Sequence, residues 1–274
     1  MIDVIIPAYN CTKTIRKTLF SLASQTDSNF YVTIVDDCSV DNLKAVIDDF
    51  DSILNIQYIR NNQNIGCGMS RQVGIDHIKS SHYCFLDSDD MFMPYTVQIF
   101  NRAIEKNPEI EFLYGQFYRR SLADGKLTII LEDEGFTWCH GKLYNAEKIK
   151  KFNIRNRADI KYADDSYWNS MCFELLKAQK IDIPLYLYID NPESVTRCEN
   201  SERDKMVMKD FMHAMIESSK NVLKYKTHIN HLQNTLAFIR SKKIVDVEEK
   251  KLYQELIELS SINKNHLNEE DDFL

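Results

Sequence analysis

The chain is expected to adopt an α/β fold: a mixed, mostly parallel sheet with helices on both faces, followed by an all-helical C-terminal appendage. Three observations predict this. Over the first 120 residues, short β-branched runs alternate with segments of helical apolar spacing, the pattern of βα units around a parallel sheet. Carboxylates cluster where strands end, at Asp36-Asp37 and at Asp87-Ser88-Asp89-Asp90, and such sheets bind ligands at the carboxyl ends of their strands. From about Ser201 onward the apolar spacing is helical only.

The elements follow in order. Val4–Ile6 is a buried-strand run closed by Pro7, and Thr12–Ser24 then places Ile15, Leu19, Leu22 and Ala23 on one helical face. Tyr31–Val35 is β-branched and aromatic, and a helix pattern runs from Asp41 to Phe50. Ile56–Ile59 is a third strand, Gly68–Ile78 a helix carrying Met69, Val73, Ile75 and Ile78, and Tyr83–Leu86 a fourth strand. Pro94–Ala103 starts a helix with proline in its first turn. Beyond this the pattern is mixed: Glu111–Arg119 pairs antiparallel with Leu127–Leu131 through the Asp124-Gly125 turn. An amphipathic helix over 164–178 and a strand at Leu185–Ile189 complete the first 200 residues. Three helices are read in 201–262, with apolar faces marked by Val207 and Phe211, by Leu232 and Leu236, and by Leu252 and Leu256. Residues 263–274 read as a frayed acidic tail.

Composition narrows the classes. With 274 residues and 44% hydrophobic content the chain has material for a core, which excludes disorder over most of its length. The formal net charge is −7, against a general nucleic-acid or anionic-membrane binder. Much of that excess sits in Glu269-Glu270-Asp271-Asp272, so the body is near neutral. The seven cysteines (Cys11, Cys38, Cys67, Cys84, Cys139, Cys172 and Cys198) are scattered singly, which fits free thiols in a reducing compartment better than zinc ligands or a disulfide framework. No apolar run is long enough for a signal peptide or a transmembrane segment, so a cytoplasmic protein is expected, with peripheral membrane association left open.

Three carboxylates within Asp87–Asp90 repel one another and need compensation. Two readings of that cluster stand. A divalent cation, Mg²⁺ or Mn²⁺, suits an all-oxygen donor set shared with substrate phosphates; alternatively Ser88, Asp89 or Asp90 caps the following helix.

Several motifs, in order over roughly residues 2–200, resemble glycosyltransferase family 2 of the GT-A fold, whose sheet is Rossmann-like. Val4-Ile5-Ile6-Pro7-Ala8-Tyr9-Asn10 resembles the family's first strand and donor-base loop, and Ile34-Val35-Asp36-Asp37-Cys38-Ser39 its second, with Cys38 where the family usually has glycine. Asn64-Ile65-Gly66-Cys67-Gly68 through Arg71 is similar to its glycine–arginine segment, and Leu86-Asp87-Ser88-Asp89-Asp90 matches its D-x-D motif. Tyr162-Ala163-Asp164-Asp165 stands where the family carries an E-D pair before a helix, Asp164 replacing the usual Glu. Trp138-Cys139-His140-Gly141-Lys142-Leu143-Tyr144 resembles W-x-G-K-L-Y, and Ser194-Val195-Thr196-Arg197 an S-x-T-R loop that closes over a diphosphate.

The resemblance implies site roles. Asp37 accepts the imide N–H of uracil, while Tyr9 or Pro7 packs on the ring within the Pro7, Ala8, Tyr9, Asn10 loop. Gly66 permits close backbone approach, and Arg71 donates near the base or phosphates. Asp89 binds the metal directly, Asp87 contacts ribose or the metal, Ser88 lies between them, Arg197 faces the diphosphate, and Asp165 is the general base. For Asp165 and Asp37 the competing structural role is helix capping. For His140, which the family reading places within reach of metal or phosphate, it is that of a satisfied core histidine.

The implied function is a metal-dependent (Mn²⁺ or Mg²⁺), inverting hexosyltransferase. It would use a nucleotide-diphosphate sugar, UDP favoured, and an acceptor hydroxyl on a glycan or cell-surface polymer. In this division residues 1–200 form the catalytic domain, with a donor half at about 1–120 and an acceptor half at 121–200. Residues 201–262 form a helical region for homo-oligomer or acceptor contact, packing on the chain's own catalytic domain being the other account. The alternatives are a non-catalytic nucleotide-sugar-binding or scaffolding module and a transferase acting on protein; the near-neutral body disfavours a nucleic-acid acceptor. A nucleotidyltransferase would want a glycine-rich basic loop after the first strand, which Pro7-Ala8-Tyr9-Asn10 is not.

Overall fold

The computed structural model describes residues 1–131, 138–161 and 164–191, together with 209–210, 212–213, 216, 251–252 and 254–255. The Ser194–Arg197 loop, most of the C-terminal helical region and the acidic tail lie outside the described residues.

The sheet has a parallel half and a mixed half. Strands β1 (Ile2–Ala8), β2 (Phe30–Asp36), β3 (Ile56–Arg60) and β4 (His82–Phe85) are parallel in the order β3-β2-β1-β4. The interleaved helices α1 (Ile15–Ala23), α2 (Leu43–Asp48) and α3 (Cys67–Ile75) supply the crossovers that parallel pairing requires. The sheet then continues through β8 (Lys142–Asn145), antiparallel to β4, and β6 (Phe112–Ser121), antiparallel to β8. β9 (Ala178–Asp190) runs parallel to β6, and the short β5 (Met91–Phe92) closes antiparallel on β9. Parallel pairing is therefore concentrated in the first half. The hairpin expected at Asp124-Gly125 forms, pairing β7 (Leu127–Ile130) with β6, and Gly125 takes φ +71° in its turn.

Alternation along β1 sorts the core into two layers. Val4 and Ile6 face Ile15 and Leu19 of α1, Ile47 of α2, and Val97 and Phe100 of α4 (Thr96–Lys106). Ile5 faces the opposite layer, with Phe85, Tyr144, Ile149 of α5 (Ala146–Lys151), and Trp168 and Met171 of α6 (Asp164–Leu175). A Cβ on Gly74 would lie 2.3 Å from Ile5 Cγ2, so glycine is what lets α3 settle onto β1.

Two boundaries differ from the sequence pattern. The helix expected over 164–178 stops at Leu175, because 178–190 extends as one long strand rather than only Leu185–Ile189. That strand accommodates Pro184 at an irregularity, where the register with β6 jumps from Gly115↔Ile181 to Gln116↔Pro184. In the C-terminal region the described positions are helical, Met212, Ile216 and Leu252 are buried, and Asp210 accepts the Lys161 N–H at 2.8 Å.

Candidate active site

The carboxyl ends of β1 and β2 close side by side, tied by the Asp37 N–H donating to the Ala8 carbonyl at 2.8 Å. Pro7 and Ala8 are buried within the strand, whereas Tyr9 is half exposed, so of the two rings expected at the base only Tyr9 is open. Asn10, at φ +50°, spends its side chain on the Val40 N–H and its own N–H on Ser39 Oγ, bracing one loop against the other. Cys38 sits at φ +64°, a left-handed conformation that glycine adopts without penalty.

The two aspartates that end β2 do different work. Asp36 is fully buried and accepts from Ser39 N–H, Tyr58 and Arg60; burial pushes its carboxyl up, but these donors outweigh it and hold the pKa below the ordinary range. Asp37 does not cap α2. Its Oδ1 accepts from Asn61 Nδ2 at 2.9 Å and from Ile65 N–H at 2.8 Å, and its Oδ2 from Gly66 N–H at 2.8 Å. It thereby fixes the loop that enters α3, where Gly66 takes φ +88°.

One turn into α3, Arg71 is buried. Its guanidinium donates to Asp87 Oδ1 at 2.7 Å and to Asp164 Oδ2, and lies over the Phe85 ring. Of the donors that the resemblance assigned to a base or phosphate, those on Nη1 and Nη2 meet two carboxylates of the protein, while Nε has no partner among the described contacts.

At the end of β4, Asp87, Asp90 and His140 bring one ligand atom each within 4.8 Å of one another. His140 Nε2 is 3.8 Å from both Asp87 Oδ2 and Asp90 Oδ2. Its ring is stacked between Tyr186 (4.5 Å) and Tyr188 (5.0 Å), and burial lowers its pKa, which keeps the imidazole neutral near pH 7. Burial pushes the Asp87 carboxyl up, but Arg71 and then His140 overcome this and hold it well below the ordinary range. Asp90 is the reverse case: burial, then Asp89 and Asp87, drive it well above, despite hydrogen bonds from Ile189 N–H and Tyr186 Oη, each at 2.7 Å. Asp89 is exposed and outside this cluster; desolvation by its surroundings, followed by the Asp87 charge, raises it to about 6. Ser88 lies against the Cys11 thiol. Two carboxylates and an imidazole form a donor set that fits Mn²⁺ or Mg²⁺.

Asp164 and Asp165 open α6. A Cβ on Gly68 would lie 2.6 Å from Asp164 Cβ, so α6 starts in direct contact with the backbone of α3. Burial raises the Asp164 pKa in spite of Arg71. Asp165 accepts the Ser166 N–H at 2.8 Å, and burial, then the charge of Asp164, raises its carboxyl to about 7. Lys142, from β8, is buried and donates to the Trp138 carbonyl; desolvation lowers its pKa to about 8.

Hydrogen bonds bring together Asp37 with Gly66, and Arg71 with Asp87 and Asp164, whereas Arg197 lies outside the described residues. The sequence pattern passed over Tyr186, whose hydroxyl accepts the Asp87 N–H at 3.1 Å and donates to Asp90. The signal was the two-residue spacing of Tyr186 and Tyr188 in a strand, which puts both rings on one face.

The family model for glycosyl transferase family 2 matches residues 3–177, more than half of the chain. The chain belongs to glycosyl transferase family 2. Among similar proteins, an uncharacterized glycosyltransferase of Haemophilus influenzae is 41% identical over 114 residues, 42% of this chain and 38% of that protein. An Escherichia coli protein named UDP-Glc:alpha-D-GlcNAc-diphosphoundecaprenol beta-1,3-glucosyltransferase WfaP is 33% identical over 119 residues, 43% of this chain and 46% of that one. The matches thus span less than half the length of these two relatives. The fold is that of S. aureus TarS 1-349, whose crystal structures include complexes with UDP and UDP-GlcNAc; the TM-score is 0.73 at 19% identity, covering 94% of this chain and 80% of TarS 1-349. The family match bears out the family 2 expectation, and the likeness to TarS bears out the GT-A fold with its mixed α/β sheet. Among the described residues no helix is long and apolar enough to cross a membrane.

Proposed function

We propose that this family 2 protein is an inverting glycosyltransferase that moves a hexose from a UDP-sugar to a hydroxyl of a glycan acceptor, with Mn²⁺ or Mg²⁺ at the D-x-D segment. The observation that supports this reading is the Arg71 bridge, which joins Asp87 at the end of β4 to Asp164, the chain neighbour of Asp165; Asp87 also belongs to the Asp87, Asp90 and His140 group that could hold a metal ion.

In this reading Tyr9 packs on the base. Asp37 Oδ2, which takes one hydrogen bond from Gly66, has a second lone pair for the imide N–H. Asp87, Asp90 and His140 hold the cation, with Asp89 at the open side; of the Asp89 and Asp87 pair that the resemblance implies, Asp87 belongs to this set. When bound, the cation offsets charge on the diphosphate leaving group. Asp165 takes the proton from the acceptor hydroxyl as that oxygen attacks the anomeric carbon, and the bond to the diphosphate breaks with its electron pair leaving on the phosphate oxygen. A carboxyl at about 7 is matched to this task near neutral pH. The donor choice is supported by the UDP complexes of TarS and by the UDP-Glc in the name of WfaP, and that name also supports a lipid-linked glycan as acceptor. We place the catalytic domain at residues 1–200, donor half first.

The test is a panel of UDP- and GDP-sugars with Mn²⁺, read as nucleotide release with and without glycan acceptors. Acceptor-dependent UDP release, abolished by EDTA, is expected. Nucleotide release from none of the panel, with no UDP–Mn²⁺ binding, would overturn the reading.

A further inference from the structure

Arg71 and Gly68 lie three residues apart on α3, on the side that meets α6. Arg71 pairs with Asp87 through one nitrogen and with Asp164 through the other, with its side chain only 7% exposed and Asp164's only 8%. Lysine would not reproduce this arrangement, in which two separate nitrogens of one rigid planar fork each meet a carboxylate. Gly68 removes the side chain that would otherwise hold α6 off, a Cβ there falling 2.6 Å from Asp164 Cβ and 3.1 Å from its Oδ2. The contact is therefore specified twice, by charge and by shape. It is also where the two halves of the site meet: Asp87 ends β4 in the parallel half, and Asp164 begins the helix that carries Asp165.

We propose that Asp164, clamped by Arg71 over Gly68, is a positioning residue that registers Asp165 against the D-x-D segment without touching either substrate. The proposal rests on the glycosyltransferase reading above. Trp168 gives an independent view of that register. It lies one turn further along α6, is buried, and meets the Phe85 ring edge-on at 5.9 Å, the same ring that Arg71 covers.

The experiment uses the full chain with Asp164→Asn, which removes the charge and keeps the volume, and Gly68→Ala, which displaces the contact and keeps every charge. Transfer kinetics, UDP–Mn²⁺ affinity by titration calorimetry, and Trp168 emission in a Trp138→Phe background are measured for each. Both variants are expected to lose 10- to 100-fold in kcat, to keep donor KM and UDP affinity within about threefold, and to shift Trp168 emission. A kcat within twofold of wild type in either folded variant would overturn the proposal, as would a tenfold loss of UDP affinity, which would make Asp164 part of donor binding. Arg71→Lys, which keeps the charge without the fork, is expected to restore less than a tenth of the wild-type kcat; full activity would also count against the clamp. Should the wild type transfer no sugar, the glycosyltransferase reading fails while the clamp is still read from Trp168: a shift upholds the register, and unchanged emission in both variants refutes it.

Discussion

Replacing Asp165 by asparagine should make the protein more stable and nearly inactive. The side chain ionises in a poor place: burial and the neighbouring Asp164 raise its carboxyl from an ordinary 3.8 to about 7. At 1.36 kcal/mol per pH unit this corresponds to a ceiling of about 4 kcal/mol, the cost of keeping the charge in the folded state above pH 7. The cost is shared with Asp164 and eased by partial exposure, so Asp165→Asn is expected to gain about 1–2 kcal/mol at pH 8. Because the folded-state pKa lies above the unfolded one, the folded protein holds the proton more tightly. Wild-type stability from this group is therefore full below about pH 4, falls as pH rises towards 7, and is level beyond. The difference between variant and wild type should grow over that window and then plateau. Urea unfolding at pH 5, 6.5 and 8 in EDTA measures it. In transfer assays the same variant should lose about 10²- to 10⁴-fold in kcat, roughly 3–5 kcal/mol of barrier, with UDP–Mn²⁺ affinity retained. A stability difference independent of pH, or a less stable variant at pH 8, would refute the electrostatic argument; near-normal transfer would refute the catalytic one.

Other expectations follow from single contacts. UDP affinity measured with Mn²⁺ should exceed that in EDTA at least tenfold, and Asp87→Asn should abolish the difference; equal affinities would remove the metal from the site. Cys38→Gly should stabilise the protein by about 0.5–1 kcal/mol, seen as a rise in Tm of roughly 2 °C, because φ +64° costs a side chain that glycine lacks. Gly74→Ala should destabilise by about 1–3 kcal/mol in chemical unfolding, since its Cβ would collide with Ile5 in a packed layer. Wild-type kcat should fall about tenfold per pH unit below pH 7, the Asp165 carboxyl being active only when ionised.

How far the sequence discloses such a molecule depends on whether the cause of each feature is local. β1, β2 and β4 are buried on both faces, so their apolar runs are continuous and readable, and the helices between them show their apolar faces directly. β5 is two residues long and exists because β9, nearly a hundred residues later, pairs with it. β8 is four residues long and carries buried Lys142 and Asn145 at its two ends, so half of it is polar and its pattern does not read as a strand. The site divides in the same way. Clustered charge announces Asp87–Asp90 from sequence, but which carboxylate turns inward is settled by Tyr186 and Ile189, distant residues that pin Asp90 and leave Asp89 outside. Arg71 is a helix arginine like many others until α6 brings Asp164 to it. Motifs thus disclose which residues carry charge to the sheet's edge, while the tertiary contacts decide which of those charges are free to meet a substrate and which are used to hold one another. On that division Asp165 is the carboxylate to test first: among the described contacts its side chain accepts a hydrogen bond from its neighbour in the chain, Ser166, whereas Asp164 beside it is already held by Arg71.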